Sequence, residues 1–473
     1  MHVSLVAIHE LGIQKAALSL ASLVASQQIG TFTPEVHPPV SFQTCTTSGG
    51  CATQNGSVVL DANYRWLHTA SGDTCNPSGF NRTICPDAET CGESCALDGA
   101  DYNGTYGITT TGNAVNLVFG NGGSRVYLLD DTGNYVNFKV MNQEFTFDVD
   151  VSNLPCAYNG ALYFSEMPPD GGLSPTNKAG AAYGTGYCDS QCPKGINFIN
   201  GTTNVDGSLG SCCNEMDLWE ANSVATQLTP HPCNVTGEFV CTGNACSNLC
   251  DPSGCDFNPF RMGNQSFYGP GKIVDTTKPF TVVTQFVTDD NTPTGTLSSI
   301  NRIYVQDGVV IQNSKTTLPG LPAANALTQD FCTDKETVLH DAASFNTFGG
   351  MAQMGTSLAR GAVLVMSLWD DLSGGMTWLD GSTGDSSTPG AVRGPCTSAD
   401  VVLTPTAAVT FSNIKVGDLN STFESTVPPA TPPPQSPSQV QWGQCGGVFY
   451  SGPTTCASPY KCVYSNPYYS QCL

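Results

Sequence analysis

Three carboxylates, Glu215, Asp217 and Glu220, lie within the nine-residue segment NEMDLWEAN at 214–222. Like charges held this close cannot all ionise, so the pKa of one carboxyl rises and that residue can donate a proton near neutral or mildly acidic pH. Retaining cleavage of a glycosidic bond needs one carboxylate as nucleophile and a second as acid/base, at a separation of about 5–5.5 Å. The segment is therefore a candidate site for this chemistry.

The element that holds the segment must bring Glu215 and Glu220 to one side. The region is rich in β-forming residues, and a regular strand points residues 215, 217 and 219 to one face and Glu220 to the other. A β-bulge near Leu218 and Trp219 adds one residue and turns Glu220 back. For an arbitrary match to this spacing, the residues alone favour an acidic strand edge or a Ca²⁺ site instead.

Composition narrows the class of protein. The 473 residues contain 17 Lys plus Arg against 39 Asp plus Glu, a net charge of −22. A surface this acidic repels phosphate backbones and anionic lipid, which argues against nucleic-acid and membrane-surface partners. The 50 Gly and 31 Pro, with only 12% charged residues, disfavour helical bundles, whereas 40% hydrophobic residues are enough for a large core.

The readable secondary structure is β. Residues 145–151 (FTFDVDV) place an apolar side chain at every second position, the period of a half-buried strand. Long loops rich in Gly, Pro and Asn separate such runs, which predicts an all-β antiparallel sandwich or barrel. Further β-rich runs lie at 57–61, 115–119, 126–129, 161–165, 281–288, 362–368 and 407–414.

The 22 cysteines indicate an oxidising compartment and a disulfide framework. The pairs Cys91/Cys95 and Cys188/Cys192 have spacings seen in zinc sites, but no supporting histidine cluster accompanies them, so no metal is expected. Adjacent Cys212 and Cys213 are expected to bond to two different partners. Seven glycosylation sequons suit a secreted protein: Asn55, Asn81, Asn103, Asn200, Asn234, Asn264 and Asn420.

Four segments are expected along the chain. Lys15, the apolar run 16–25 and small residues near Ala25 predict a signal peptide at 1–26. A catalytic body at 27–420 is followed by a Pro/Ser/Thr-rich linker at 421–438. The tail at 439–473 has four cysteines, and it is too small to fold without disulfides.

The order of motifs PEVHPP, ALYFSEM, YGTGYCDSQCP, NEMDLWEANS, LTPHPC, CDPSGCDFNP, FYGPG, VVTQF and MSLWDD resembles glycoside hydrolase family 7, the fungal cellulases. The resemblance implies a curved β-jelly-roll sandwich with a cellulose-binding groove and a retaining mechanism. It gives Glu215 the role of nucleophile, Glu220 that of acid/base, and Asp217 that of tuning the nucleophile. It also places His231 near the leaving group.

The same resemblance implies a set of sugar contacts and stacking platforms along the groove. Aromatic faces suit the C–H faces of glucose, although buried tryptophans are more often core residues. Tyr64 stands where processive members often carry a second Trp. The implied contacts are Trp66, Asn159, Tyr163, Asp189, Gln191, Arg261, Trp369, Trp378 and Arg393.

The tail, with QWGQCGG, GPTTC, YKC and NPYYSQCL, is similar to the family 1 carbohydrate-binding module, a small fungal cellulose-binding domain. The similarity implies that Trp442, Tyr468 and Tyr469 form a flat aromatic strip for crystalline cellulose. Gln444, Asn466 and Gln471 are the polar contacts that it implies. A module of 35 residues has little interior in which to hide three large rings.

The mode of cleavage depends on loops that cover the groove. The connections at 202–211 and 247–249 are short compared with those of cellobiohydrolases, which predicts an open groove and internal cleavage. STPGAVRG and MSLWDD look more like the cellobiohydrolase branch, so release of cellobiose from chain ends is the alternative. A non-catalytic lectin is a remote third possibility, because it has no need of the paired glutamates. We expect a secreted monomer that acts on cellulose and related β-glucans without a cofactor.

Overall fold

A computed structural model describes residues 27–424 and 439–473, except 449, 451 and 458. The expected signal peptide and residues 425–438 of the expected linker lie outside the described residues. Among the residues described, no helix is both long and apolar enough to cross a membrane.

The body is a mostly antiparallel β-jelly-roll sandwich, as predicted. Its largest sheet bends so that its two halves face each other across one core. In spatial order, the main path of that sheet runs through Thr226–His231, Glu215–Ala221, Tyr158–Ser165, Ala362–Asp370, Ser124–Leu129, Gly50–Leu60, Pro39–Thr46, Ala408–Asp418, Gln143–Asp150, Phe280–Thr288, Leu297–Gln306 and Val309–Gln312. Shorter strands join it at Ile108–Thr111, Ala114–Val118, Asn137–Phe138 and Ala326–Leu327.

Aromatic rings connect the two halves of the sandwich. The Trp219 ring lies 5.8 Å from Phe280 on the opposite half, and Phe164 lies 5.0 Å from Phe145. All four side chains are buried, and such ring pairs contribute about 0.5–1.5 kcal/mol each beyond the burial of their area. The strand that carries the candidate motif is therefore fixed from behind by the core.

Every β-rich run expected from the sequence overlaps a strand, and helices are few, as the composition indicated. The α-helices are Ala88–Ser94, Gln329–Leu339, Ser344–Thr347 and Gly350–Arg360, and short 3-10 turns occur at Ala62–Tyr64, Ala181–Tyr183, Gly243–Asn248 and Ser398–Asp400. Small sheets order the loops: Gln28–Ile29 with Ala96–Leu97 and Leu67–His68, Phe198–Ile199 with Thr202–Thr203, Leu209–Cys212 with Phe239–Thr242, and Tyr268–Gly269 with Val274–Asp275.

The 22 cysteines form eleven disulfides, all within the described residues. Cys212 and Cys213 bond to different partners, Cys192 and Cys188, as expected. The other body pairs are Cys45–Cys51, Cys75–Cys95, Cys85–Cys91, Cys156–Cys396, Cys233–Cys250, Cys241–Cys246 and Cys255–Cys332. Both cysteine pairs with zinc-like spacing are therefore engaged in disulfides.

The end of the body lies beyond the predicted boundary at residue 420. Thr422 is 1% exposed, and its backbone N–H and hydroxyl donate to Glu144 Oε1 at 2.8 and 2.7 Å. Composition placed Ser421 and Thr422 in the linker because they are Ser/Thr residues ahead of a Pro-rich run. The buried carboxylate of Glu144 instead holds this segment on the body.

The tail is a three-stranded sheet of Gln444–Gly446, Tyr469–Cys472 and Cys462–Asn466. Two disulfides, Cys445–Cys462 and Cys456–Cys472, fasten it. Because the module is so small, these bonds take the place of a large hydrophobic core.

Candidate active site

The bulge that the carboxylate motif needs is present in the strand Glu215–Ala221. On the adjacent strand the partner of Asp217 is Thr229. The partner of Glu220 is Gln227, so three steps along the motif face two steps along its neighbour. The extra residue turns Glu220 back to the face that carries Glu215 and Asp217, as the sequence predicted.

All three carboxylates line one cleft of about 710 Å³. Most of the sugar contacts implied by the sequence line the same cleft: Tyr163, Asp189, Gln191, Arg261, Trp369, Trp378 and Arg393. His231 lines it as well, together with Tyr64. Residues far apart in the chain thus meet around the motif.

Glu215 is 5% exposed and is held by Ser190. The backbone N–H and the hydroxyl of Ser190 donate to Glu215 Oε2 at 3.1 and 2.8 Å. Burial, with the nearby charges of Asp217 and Asp189, raises the pKa of Glu215 well above its usual range, while His231 and Ser190 oppose the rise. The hydrogen bonds leave Oε1 of Glu215 as the oxygen that is not engaged by Ser190.

Gln191, the residue after Ser190, also lines the cleft beside Glu215. With its amide oriented so that donors face acceptors, the NH₂ group donates to Asp189 Oδ1 and to Glu215 Oε2, both at 3.2 Å. In that orientation its oxygen lies 2.9 Å from the Ser190 hydroxyl oxygen. Gln191 therefore links two acidic groups of the cleft.

Glu220 has a different set of partners. Asn159 Nδ2 donates to its Oε1 at 3.0 Å, and Gln227 Nε2 donates to its Oε2 at 2.7 Å. Burial and the charge of Asp217 raise the pKa of Glu220 to about 8, although the amides and His231 favour the ionised form. A carboxyl with this pKa is protonated at neutral pH and is suited to act as an acid.

Asp217 and His231 form a buried ion pair, with His231 Nε2 2.9 Å from Asp217 Oδ2. The other ring nitrogen, Nδ1, lies 2.9 Å from the carbonyl oxygen of Asp251, which can only accept. Burial alone would lower the pKa of His231, but the bond and charge of Asp217 outweigh it and raise the pKa to about 10. The imidazolium therefore carries a positive charge beneath the two glutamates.

Trp369 and Trp378 form a stacked pair on the wall of the cleft, with centroids 6.1 Å apart and planes 17° from parallel. Both rings are half-buried, so each keeps an edge or face on the cleft. Aromatic rings on a cleft wall can act as platforms for sugar rings, which is the role that the sequence resemblance implied for this pair.

A cluster of charges lies near the tryptophan pair. Arg261 bonds to Asp256 and, at 2.6 Å, to Asp341, and Lys335 Nζ lies 2.8 Å from each of these carboxylates. Arg393 reaches Asp256 at 3.3 Å. Three cations surround two carboxylates, so this part of the cleft carries a local positive excess. The pKa of Asp256, which burial alone would raise, is lowered by these cations.

Two expected sugar contacts lie elsewhere. Asn159 is fully buried and bonds to Glu220 and to the backbone N–H of Ala221, so it supports Glu220 and is not among the residues that line the cleft. Trp66 is 37% exposed but is not among the residues that line the cleft; the centre of its ring lies 4.2 Å from that of His68, with the planes tilted by 35°, and Phe32 lies beside it. Sequence spacing alone does not show on which side of a loop a ring emerges.

Other residues of the site were missed by sequence reasoning. Ser190 and Gln227 bond directly to the glutamates, and Arg125 lies 3.3 Å above the ring of Tyr187 within the cleft. Ser190 lies inside the CDSQC motif and Gln227 faces Glu220 on the paired strand. Predicting how the next strand, Thr226–His231, pairs with the motif strand would have placed Gln227 opposite Glu220.

The tail exposes the rings that the sequence assigned to it. Trp442 is 61% and Tyr468 is 67% exposed, and Tyr469 is half-buried beside them in the chain. Gln471 Nε2 donates to the Trp442 carbonyl at 2.8 Å, and Gln444 Nε2 to the Tyr468 carbonyl at 3.2 Å. The two glutamines hold the backbone beneath the exposed rings.

Asn466, the third polar residue assigned to the tail, is exposed. Its Oδ1 accepts from the Tyr468 N–H at 2.9 Å. Tyr464, which the sequence did not single out, is 70% exposed on the adjoining strand.

Comparisons with known proteins agree with this architecture. The family model of glycosyl hydrolase family 7 matches residues 29–423, and that of the fungal cellulose binding domain matches 441–469. A GH7 family cellobiohydrolase from Daphnia pulex is 42% identical with a TM-score of 0.81. The Melanocarpus albomyces cellobiohydrolase complexed with cellotetraose is 39% identical, with a TM-score of 0.79. The Humicola insolens endocellulase EGI is also 39% identical, with a TM-score of 0.75. Each comparison covers 84% of this chain and 100% of the other.

Proposed function

The chain belongs to glycosyl hydrolase family 7, and from that premise we propose that it cleaves β-1,4-glucosidic bonds at internal positions of cellulose chains with retention of configuration. It is a cellulase with a C-terminal cellulose-binding domain. The observation that carries the proposal is the bulge, which brings Glu215 and Glu220 onto one cleft while giving them different partners.

In the first step, Glu215 attacks the anomeric carbon and Glu220 gives its proton to the leaving glycosidic oxygen. A bond forms between the carboxylate and the sugar as the glycosidic bond breaks. The hydrogen bonds from Ser190 to Glu215 Oε2 orient the nucleophile. Because burial raises the pKa of Glu220, this residue keeps its proton at neutral or mildly acidic pH and can donate it.

In the second step, ionised Glu220 takes a proton from water, and the resulting hydroxide equivalent displaces Glu215 from the sugar. The amides of Asn159 and Gln227 stabilise the ionised form that this step requires. Asp217, paired with His231, keeps a negative and a positive charge beside the glutamates through both steps. Neither Asp217 nor His231 needs to bond to the sugar.

The tryptophan pair and the charged cluster are proposed to bind glucose units on the leaving-group side. Trp369 and Trp378 offer stacking surfaces, and Arg393 keeps donors that are not used by Asp256. Tyr163, Asp189, Gln191 and Arg261 line the same cleft. Trp66, outside the cleft and exposed, is proposed as a contact for a longer chain.

Internal cleavage is supported by the short loops beside the cleft. The strands Thr202–Thr203 and Leu209–Cys212 are joined by only five residues, and the Cys241–Cys246 disulfide closes a compact turn. Loops of this length leave little chain to cover a bound polysaccharide. Viscosity and reducing ends should be followed together on carboxymethylcellulose, and viscosity should fall early, before much reducing sugar appears.

Release of cellobiose from chain ends is the second candidate. The cellobiohydrolases compared above have TM-scores of 0.79 and 0.81, against 0.75 for the endocellulase. The cellobiohydrolase-like STPGAVRG at residues 387–394 also overlaps the 382–392 segment, which is closed by a bridge between Ser382 and Val392. Cellobiose as the dominant product from the outset, with little loss of viscosity, would support this alternative.

The rest of the domain assignment is part of the same proposal. We place a signal peptide at 1–26, the catalytic body from residue 27 to about residue 422, a tether up to 438, and the cellulose-binding module at 439–473. Eleven disulfides, formed by all 22 cysteines, support secretion.

A further inference from the structure

Arg302 differs from every other arginine of the described residues in having no ion pair. It lies on the strand Leu297–Gln306 and is 3% exposed. Burying an arginine without a carboxylate partner is costly, and burial lowers the pKa of Arg302 from its usual value. The arginines that do pair are Arg65, Arg82, Arg125, Arg261, Arg360 and Arg393.

The principal hydrogen bond of Arg302 goes to the bulge of the motif strand. Its Nη2 donates to the carbonyl oxygen of Leu218 across the core. Its guanidinium also lies 5.9 Å from the centre of the Trp219 ring and 5.8 Å from that of Tyr304. Both Leu218 and Trp219 belong to the segment that separates Asp217 from Glu220.

Leu218 is the residue of the bulge that has no pairing partner on either side. Neither of the adjacent strands has a residue paired with it: one ladder passes from Met216 to Trp219, and the other from Asp217 to Glu220. A buried carbonyl without a donor destabilises the fold, because it has lost its hydrogen bond to water. Arg302 supplies that donor, so the carbonyl of the bulge accepts a hydrogen bond from the opposite half of the sandwich.

We propose that Arg302 is a positioning residue that holds the bulge and thereby aims Glu220 at the glycosidic oxygen. Arg302 does not line the cleft, so it reaches the reaction only through the backbone of Leu218 and the ring of Trp219. The proposal rests on the proposed function of Glu220 as the acid.

Two substrates separate this role from general stability. Phenyl β-cellobioside needs a proton on its leaving oxygen, whereas dinitrophenyl β-cellobioside has a leaving group that departs without one. The full chain with Arg302→Met should lose about 10²-fold in kcat/KM on the phenyl substrate, the scale of a 1 Å displacement at a reacting group. On the dinitrophenyl substrate the loss should be only a few-fold.

Arg65→Met is the matched control, because Arg65 is also buried but pairs with Glu35, far from the motif in the chain. It should lower the melting temperature while leaving the ratio of the two kcat/KM values unchanged. Arg302→Lys keeps a cationic donor and should recover part of the ratio. Equal losses on both substrates in folded Arg302→Met would overturn the proposal.

If Arg302→Met does not fold, Arg302→Lys and Tyr304→Phe replace it. Lys should shift the ratio by several-fold, and Phe, which leaves the bond to Leu218 in place, should shift it less. Wild-type ratios in both variants would overturn the proposal. Glu220→Gln is measured beside them: if it also leaves the ratio unchanged, the proposed role of Glu220 has failed rather than that of Arg302 alone.

Discussion

In the cleft, Glu215 and His231 are each 5% exposed, whereas in the tail Trp442 and Tyr468 are more than 60% exposed. The cleft buries Glu215 and Glu220, and this burial raises the pKa of both carboxyls. The tail turns uncharged rings outward, which suits contact with a flat solid. The chain thus has two surfaces for cellulose, one with buried charged residues and one with exposed uncharged rings.

Polar side chains also serve the two regions differently. In the cleft, amides and hydroxyls such as Asn159, Gln227 and Ser190 bond directly to the glutamates. In the tail, Gln444 and Gln471 bond to backbone carbonyls and hold the exposed rings in place. Substitutions in the cleft should therefore change the chemistry, and substitutions in the tail should change only adsorption.

The largest effect is expected for Glu215→Gln, which removes the proposed nucleophile. Turnover on soluble cello-oligosaccharides should fall by about 10⁴-fold or more. Adsorption to microcrystalline cellulose, measured by depletion of protein from solution, should remain at the wild-type level. A parallel loss of adsorption would mean that the two surfaces do not work independently.

The pH profile should report the protonation of Glu220. Because the pKa of Glu220 is raised to about 8, its proton is present below that pH, and activity should fall as pH rises through about 8. Glu220→Gln should retain much more activity on dinitrophenyl than on phenyl β-cellobioside and should lose this alkaline limb. An alkaline limb that persists in Glu220→Gln would assign it to another group.

Asp217→Asn should have a smaller effect. Removing this charge takes away one cause of the raised pKa of Glu220, so the alkaline limb should move to lower pH. His231 should also lose the partner that raises its pKa. We expect a loss of kcat on the order of tenfold, the equivalent of one pKa unit. An unchanged pH profile would show that Asp217 does not tune the glutamates.

The smallest effect belongs to the tail. Trp442→Ala removes one exposed ring, worth about 0.5–1.5 kcal/mol by analogy with aromatic pairs, so adsorption should weaken several-fold. Activity on microcrystalline cellulose should fall with it, since tethering raises the effective concentration only at a solid surface. The rate on soluble oligosaccharides should stay the same. Equal losses on soluble and insoluble substrates would contradict the separation of the two surfaces.

Local patterns were sufficient for much of the fold. Alternation at 145–151 predicted a half-buried strand, and a strand covers Gln143–Asp150; the spacing of Glu215 and Glu220 required a bulge that is present. Both depend on neighbours in sequence, where the period of a strand constrains which way a side chain points.

What the sequence did not indicate depends on contacts between distant segments. Lys335 joins the charged cluster from a helix, and Arg302 reaches the bulge from the other half of the sandwich. Asn159 turned out to support Glu220 because strand pairing places it behind the acid, and Thr422 joined the body because Glu144 offers a buried acceptor. No local periodicity encodes such pairings.

The configuration of the first product tests the central claim most directly. Proton NMR of a cello-oligosaccharide digest, recorded within the first minutes before mutarotation, should show the new reducing end as the β-anomer. Two displacements, by Glu215 and then by water, require that result. An α-anomer at the earliest times would contradict the double displacement and the roles given to Glu215 and Glu220.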